Sequence, residues 1–96
     1  MNTPWGVSQT RDNVAEGIDF YGTAGHGGFK LSPERNKQVP AKWRLGGRFL
    51  GWYEEDCGWA PLFKTFPDIF KKECERTGDY IDRVIEDWES WVRRAQ

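Results

Sequence analysis

The stretch Ile18–Leu31, IDFYGTAGHGGFKL, decides the fold. Read as a nucleotide loop, it would open an α/β domain; read as two strands around a turn, it builds an antiparallel sheet. A phosphate-binding P-loop needs G-x-x-x-x-G-K-[ST], but Lys30 follows Gly28 by two residues and neither Ser nor Thr stands directly behind it. A dinucleotide fingerprint needs G-x-G-x-x-G ahead of a long helix. Gly25-His26-Gly27 supplies only its first half, and a strand pattern follows. The strand reading therefore stands. Ile18 to Thr23 alternates, with Ile18, Phe20 and Gly22 on one face and Asp19 and Tyr21 on the other. Phe29 and Leu31 resume the pattern with Lys30 outward, and the three intervening glycines are expected to take positive φ in a loop or bulge.

Working outward, Thr3-Pro4-Trp5-Gly6 reads as an anchored turn, and Val7 to Val14 as a first strand closed by Ala15-Glu16-Gly17. Downstream, Ser32-Pro33-Glu34 starts a short helix, since Ser caps and Pro fits the first helical position. Pro40 disfavours helical geometry at Val39 and ends it. PAKWRL (40–45) predicts a further helical turn, and RFLGWY (48–53) a fourth strand or extended segment. The acidic triplet Glu54-Glu55-Asp56 stands where a helix would begin, carboxylates favouring the positive end of the macrodipole. Cys57, Trp59, Ala60, Phe63 and Phe66 would then share its buried face. Pro67-Asp68 restarts a helix with Ile69, Phe70 and Cys74 inward, and Gly78 closes it.

The last segment is the clearest. Tyr80, Ile81, Val84, Ile85, Trp88, Trp91 and Val92 recur at helical spacing, which predicts a helix over 79–95. Asp79 and Asp82 open it and Arg93 and Arg94 close it, as the dipole prefers. The expected architecture is α+β: a small antiparallel sheet of about three to four strands in the N-terminal half, packed against C-terminal helices, in one domain over 1–96.

Composition narrows the function classes. A chain of 96 residues has no room for a second hydrophobic core, and 16% aromatics make a disordered chain untenable despite 30% charged residues. No apolar run approaches the roughly 18–20 residues a membrane span needs. The stretch MNTPWGVSQTRDN has neither a basic start nor an apolar segment of the secretory kind, so a cytosolic location is expected. Cys57 and Cys74 form no C-x-x-C pair and lack a local His, which argues for reduced thiols or a disulfide rather than zinc. No cofactor and no metal site are expected; three adjacent acids such as Glu54, Glu55 and Asp56 would point in different directions from a helix.

Net charge is −1, yet it is unevenly spread. Lys30, Arg35, Lys37, Lys42, Arg44 and Arg48 face a single acid, Glu34, over the middle of the chain. From Glu54 onward the sign reverses. Lys37, Lys42, Arg44 and Arg48, with Trp43 for stacking, are a candidate nucleic-acid contact. Glu54, Glu55, Asp56, Asp79, Asp82, Glu86, Asp87 and Glu89 are candidate partner-binding residues, complementary to a basic protein surface. Each acid alone serves capping or solubility; together they make a docking surface. His26 is the one histidine, and a catalytic role needs an orienting partner and a nucleophile or substrate. Its neighbours Tyr21 and Thr23 supply neither; a Cys57–His26 pairing requires only that the two meet in space. The expectation is a turn residue and no catalytic site.

TPWG, YGTAGHGGFKLSPERN, VP and GWYEEDCGWA…FP, spread over residues 3–70, resemble a small domain of unknown function found in phage and plasmid proteins. The resemblance implies a bacterial mobile element as the setting and carries over no functional residue. A small domain in that setting looks like the accessory proteins used against host defence, of which anti-CRISPR proteins are an example. The expectation is thus a non-enzymatic inhibitor in the host bacterial cytosol. It would bind a defence complex, CRISPR–Cas foremost, and block nucleic-acid engagement. The alternatives are a nucleic-acid-binding accessory protein using segment 30–48 and a small enzyme centred on His26.

Overall fold

The fold is seen in a computed structural model that describes residues 2–95. The deciding stretch is a hairpin. Strand β4 (Ile18–Gly22) pairs antiparallel with β5 (Gly27–Leu31), with Ile18 opposite Leu31 and Gly22 opposite Gly27. Thr23 closes the turn: its N–H and its hydroxyl both donate to the His26 carbonyl, at 2.7 and 2.8 Å, and its Oγ1 accepts the His26 N–H at 3.1 Å. Strand β3 (Thr10–Ala15) adds to β4, with a register shift between Asn13 and Ala15, and β6 (Trp52–Glu54) adds to β5. The order β3-β4-β5-β6 is an antiparallel meander, and residues 32–51 are inserted before its last strand. A separate two-stranded ribbon, β1 (Asn2–Thr3) with β2 (Gly6–Val7), precedes it, so the single first strand expected over 7–14 is split.

Four helices follow: α1 (Pro33–Gln38), α2 (Trp59–Thr65), α3 (Lys71–Thr77) and α4 (Tyr80–Ala95). The α+β architecture is as expected. Ser32 caps α1, its Oγ accepting the Arg35 N–H at 3.2 Å. Ile18, Leu31 and Tyr53 are buried in the core shared with the helices, where Phe29 meets Phe70 edge-on at 5.9 Å and Tyr53 meets Trp88 at 5.8 Å. The apolar stripe of α4 supplies Ile81, Val84, Ile85, Trp88 and Val92 to that core, while Tyr80 stays 60% exposed.

Three expectations are corrected. First, the sheet is covered on both faces. Tyr21 shares the face of Trp52, and both are buried; Trp5 packs edge-on over Trp52 at 5.6 Å. Lys30 and Arg11 lie over these rings, 5.3 Å from Trp52 and 5.7 Å from Tyr21. A second, small aromatic layer therefore sits on the face toward which Lys30 was expected to point outward. Second, Gly25, Gly27 and Gly28 have no positive φ. Close approach explains two of them: a Cβ on Gly28 would lie 2.5 Å from two Trp5 ring carbons, and one on Gly27 would lie 3.0 Å from the Phe20 ring. Third, Glu54-Glu55-Asp56 does not open a helix. Glu54 ends β6, the Glu55 N–H donates to Gly27 O at 3.0 Å, and α2 begins only at Trp59. Pairing with the β5 edge satisfies this backbone before a helix could.

Smaller differences follow the same logic. RFLGWY is a strand only from Trp52, because Gly51 at φ 81° turns the chain after a 3₁₀ turn at Gly47–Phe49. Residues 67–70 form turns, with Phe70 stacked on Phe63 at 4.7 Å, and α3 starts at Lys71 rather than at Pro67. Gly78 ends it at φ 50°. The inserted segment is fastened to α4: Trp88 Nε1 donates to the Trp43 carbonyl at 2.9 Å, and Trp43 Nε1 donates to Glu89 Oε2 at 2.8 Å.

Candidate functional site

The acidic residues come from two elements that the fold brings together. Glu54 leaves the sheet at the end of β6, and Asp56 and Cys57 lie in the turn that follows, where Gly58 N–H donates to Glu54 O at 2.6 Å. Asp87 projects from the flank of α4 that borders this turn. With Cys57, Trp91 and Arg94, Glu54 and Asp87 line a cleft of about 270 Å³.

The titration behaviour reports the same convergence. Burial pushes the Cys57 thiol up, and the carboxylates of Glu54, Asp87 and Asp56 push it further, so the thiol stays protonated. Burial also raises the Glu54 carboxyl above its ordinary value, with Asp56 and Glu55 adding to the effect. The Asp56 N–H, which donates to Glu54 Oε1, and the charge of His26 act against this rise. Glu54 is thus the half-buried centre of an acidic cluster rather than one more surface acid.

The eight candidate carboxylates do not act alike. Glu55, Asp56, Asp79, Glu86 and Asp87 are exposed. Asp82 pairs with Lys64 at 2.7 Å, both side chains largely in solvent, a bond worth at most about 1 kcal/mol. Glu89 faces the opposite flank of α4, where it accepts the Trp43 indole and lies 3.9 Å from Lys42. Its placement is structural, within the protein's own packing.

The basic segment is divided as well. Lys42 turns toward Glu89 and lies 5.2 Å from the Trp43 ring, and Arg48 lies 5.0 Å from Phe49. Lys37 and Arg44 instead line a separate cavity with Lys30. Trp43 packs against the core, its indole committed to Glu89. The four cations therefore do not form one stripe around a stacking aromatic.

His26 is exposed at the hairpin tip, and among the described residues no group hydrogen-bonds its imidazole. Its charge bears on Glu54, which places it at the border of the acidic cluster. Cys57 and Cys74 are free thiols, and Cys74 Sγ lies 3.7 Å from the Phe63 carbonyl. Among the described residues no group of three His, Cys, Asp or Glu side chains is placed to hold a metal ion. Among the described residues no helix is long and apolar enough to cross a membrane.

Sequence reasoning missed Cys57, Trp91 and Arg94 as neighbours of the acids. No local signal joins them, because the turn and α4 meet only in the folded chain. The chain belongs to the family described as a domain of unknown function (DUF7007), which it matches over residues 1–95 and hence through α4. No curated protein and no solved structure matches it.

Proposed function

We propose that this member of the DUF7007 family is a binding protein without catalytic activity. Its acidic face, from the 54–57 turn across Asp87 to Glu86, engages a basic, nucleic-acid-binding surface on a partner protein. The setting we assign is a bacterial host cytosol occupied by a phage or plasmid, and the partner a defence complex, CRISPR–Cas foremost. The observation that carries the reading is the convergence of Glu54, Asp56 and Asp87 about Cys57. Carboxylates held at fixed spacing on a strand end and a helix can take the places of successive phosphates in a basic groove. Such a contact forms fast at low salt and weakens as ions screen it over about 8–10 Å.

The test is inhibition of target-DNA binding by purified CRISPR–Cas complexes, and plaque formation on hosts carrying them. The variant Glu55→Lys/Asp56→Lys/Glu86→Lys/Asp87→Lys reverses four exposed acids and leaves the core untouched. Inhibition by the natural chain and its loss in this variant, with circular dichroism unchanged, support the reading. Equal inhibition by both chains overturns the electrostatic mechanism, and no relief of any defence complex tried overturns the choice of partner.

A further inference from the structure

The second cavity lies where β5 runs into α1 and is lined in part by the inserted segment. It encloses about 450 Å³, in the range of small-molecule sites. Leu31, Pro33 and Leu50 give it apolar walls. Three cations, Lys30, Lys37 and Arg44, border it against one carboxylate, Asp19. That carboxylate is already satisfied: Asn13 Nδ2 donates to it at 2.8 Å and Arg11 pairs with it at 3.0 Å, and these, the Asn13 bond foremost, hold its pKa down. The cavity is therefore electropositive.

Its lining includes Asn36, which is 7% exposed, the one buried polar residue among the described residues. The Tyr53 hydroxyl donates to Asn36 Oδ1, which fixes the amide and leaves the Nδ2 donors as the arm on offer to the cavity that Asn36 lines. Among the described residues nothing accepts from Asn36 Nδ2, which stays open to the cavity and can donate to a ligand there. Ser32 adds a hydroxyl whose oxygen accepts the Arg35 N–H, so its proton remains to be donated. Lys30 is preorganised: Nζ donates to the Leu50 carbonyl at 2.9 Å, and the Gly51 position leaves room for it, since a Cβ there would lie 3.0 Å from Nζ.

We infer that this cavity binds a small organic phosphate, with the phosphate held by Asn36 Nδ2, Ser32 Oγ, Lys30 and Lys37 and the organic body lying against Leu31, Pro33 and Leu50. Two cations beside two neutral donors suit the charge of about −2 and the three terminal oxygens of a phosphate monoester better than the single charge of a carboxylate. A free inorganic anion would leave the apolar walls unused.

The test titrates the full chain, ¹⁵N-labelled, with phenyl phosphate, inorganic phosphate and benzoate, following amide and indole resonances. Phenyl phosphate is expected to shift Ser32, Asn36 and Arg44, and the Trp52 indole beneath Lys30. It should bind about tenfold or more tighter than either control, because each control lacks the body or an oxygen. Lys37 is exposed and outside the core, so Lys37→Glu folds normally and is expected to weaken phenyl phosphate about tenfold or more, whereas Lys64→Glu leaves it unchanged. No shift at these residues at millimolar phenyl phosphate, benzoate or inorganic phosphate binding equally well, or indifference to Lys37→Glu would each overturn the assignment.

Discussion

Replacing Gly28 with Ala tests the second aromatic layer. The new methyl would stand 2.5 Å from two ring carbons of Trp5 and 2.9 Å from the Tyr53 carbonyl oxygen, where ordinary contact begins near 3.4 Å. The backbone at Gly28 accepts an L residue without strain, its φ lying outside the positive range, so sterics alone set the cost. Trp5 must move by nearly an ångström, away from its edge-on contact with Trp52. Overpacking of this kind costs about 1–3 kcal/mol, and we expect about 2. In a domain of this size that lowers the melting midpoint by about 8–16 °C. The assay is urea and thermal denaturation of Gly28→Ala, Trp5→Ala and the double variant. With the indole gone, the Tyr53 carbonyl still crowds the methyl, so the cost of Gly28→Ala should fall to about 1 kcal/mol, a coupling of about 1 kcal/mol. Gly25→Ala is the internal control: a Cβ there meets nothing within 4 Å, and the change should stay within about 0.5 kcal/mol. Equal costs of Gly28→Ala with and without Trp5 would refute the packing explanation. Equal costs at Gly25 and Gly28 would return the motif to a general demand for glycine.

Two further predictions concern the acidic cluster. Glu54 is raised above its ordinary 4.5 by burial, so the folded chain holds this proton more tightly than the unfolded one. Its contribution to stability is greatest at acid pH and is lost as pH rises from about 4.5 through the raised value; Glu54→Gln, whose carbonyl can still accept the Asp56 N–H, should be slightly more stable than the natural chain at pH 7 and equal to it at pH 4, as read by chemical denaturation. Cys57 should react slowly with iodoacetamide at pH 8, and Asp56→Asn/Asp87→Asn should speed it by lowering the thiol pKa toward its ordinary value; mass spectrometry of the alkylated peptide gives the rate, and no change would separate Asp87 from the turn.

Local chemistry in the sequence determined what was legible. The α4 stripe, the Ser32-Pro33 cap and the alternation in Ile18–Leu31 report one helix, one helix start and the two strands of one hairpin, and each formed close to its expected bounds. The triplet Glu54-Glu55-Asp56 misled, because macrodipole preference is worth less than pairing Tyr53 and Glu54 with the β5 edge. The glycines misled because close approach and positive φ call for the same residue, and only the positions of Phe20 at Gly27 and Trp5 at Gly28 distinguish them. Residues that meet across the chain left no local trace. Asp87 with Cys57, and Asn36 with Tyr53, are joined by folding alone.

The reciprocal indole bonds between Trp43 and the Trp88–Glu89 pair have a kinetic meaning. They join positions 45 and 46 residues apart, so the middle of the chain cannot settle until the last helix has formed. During synthesis the meander can assemble as far as β5, but segment 39–51 must wait for residues 88 and 89 to emerge. Residues Arg44, Leu50 and Gly51, which border the electropositive cavity, stay unplaced until then. A chain lacking α4 would hold neither the cavity nor the complete acidic face, so both surfaces appear together once α4 has packed.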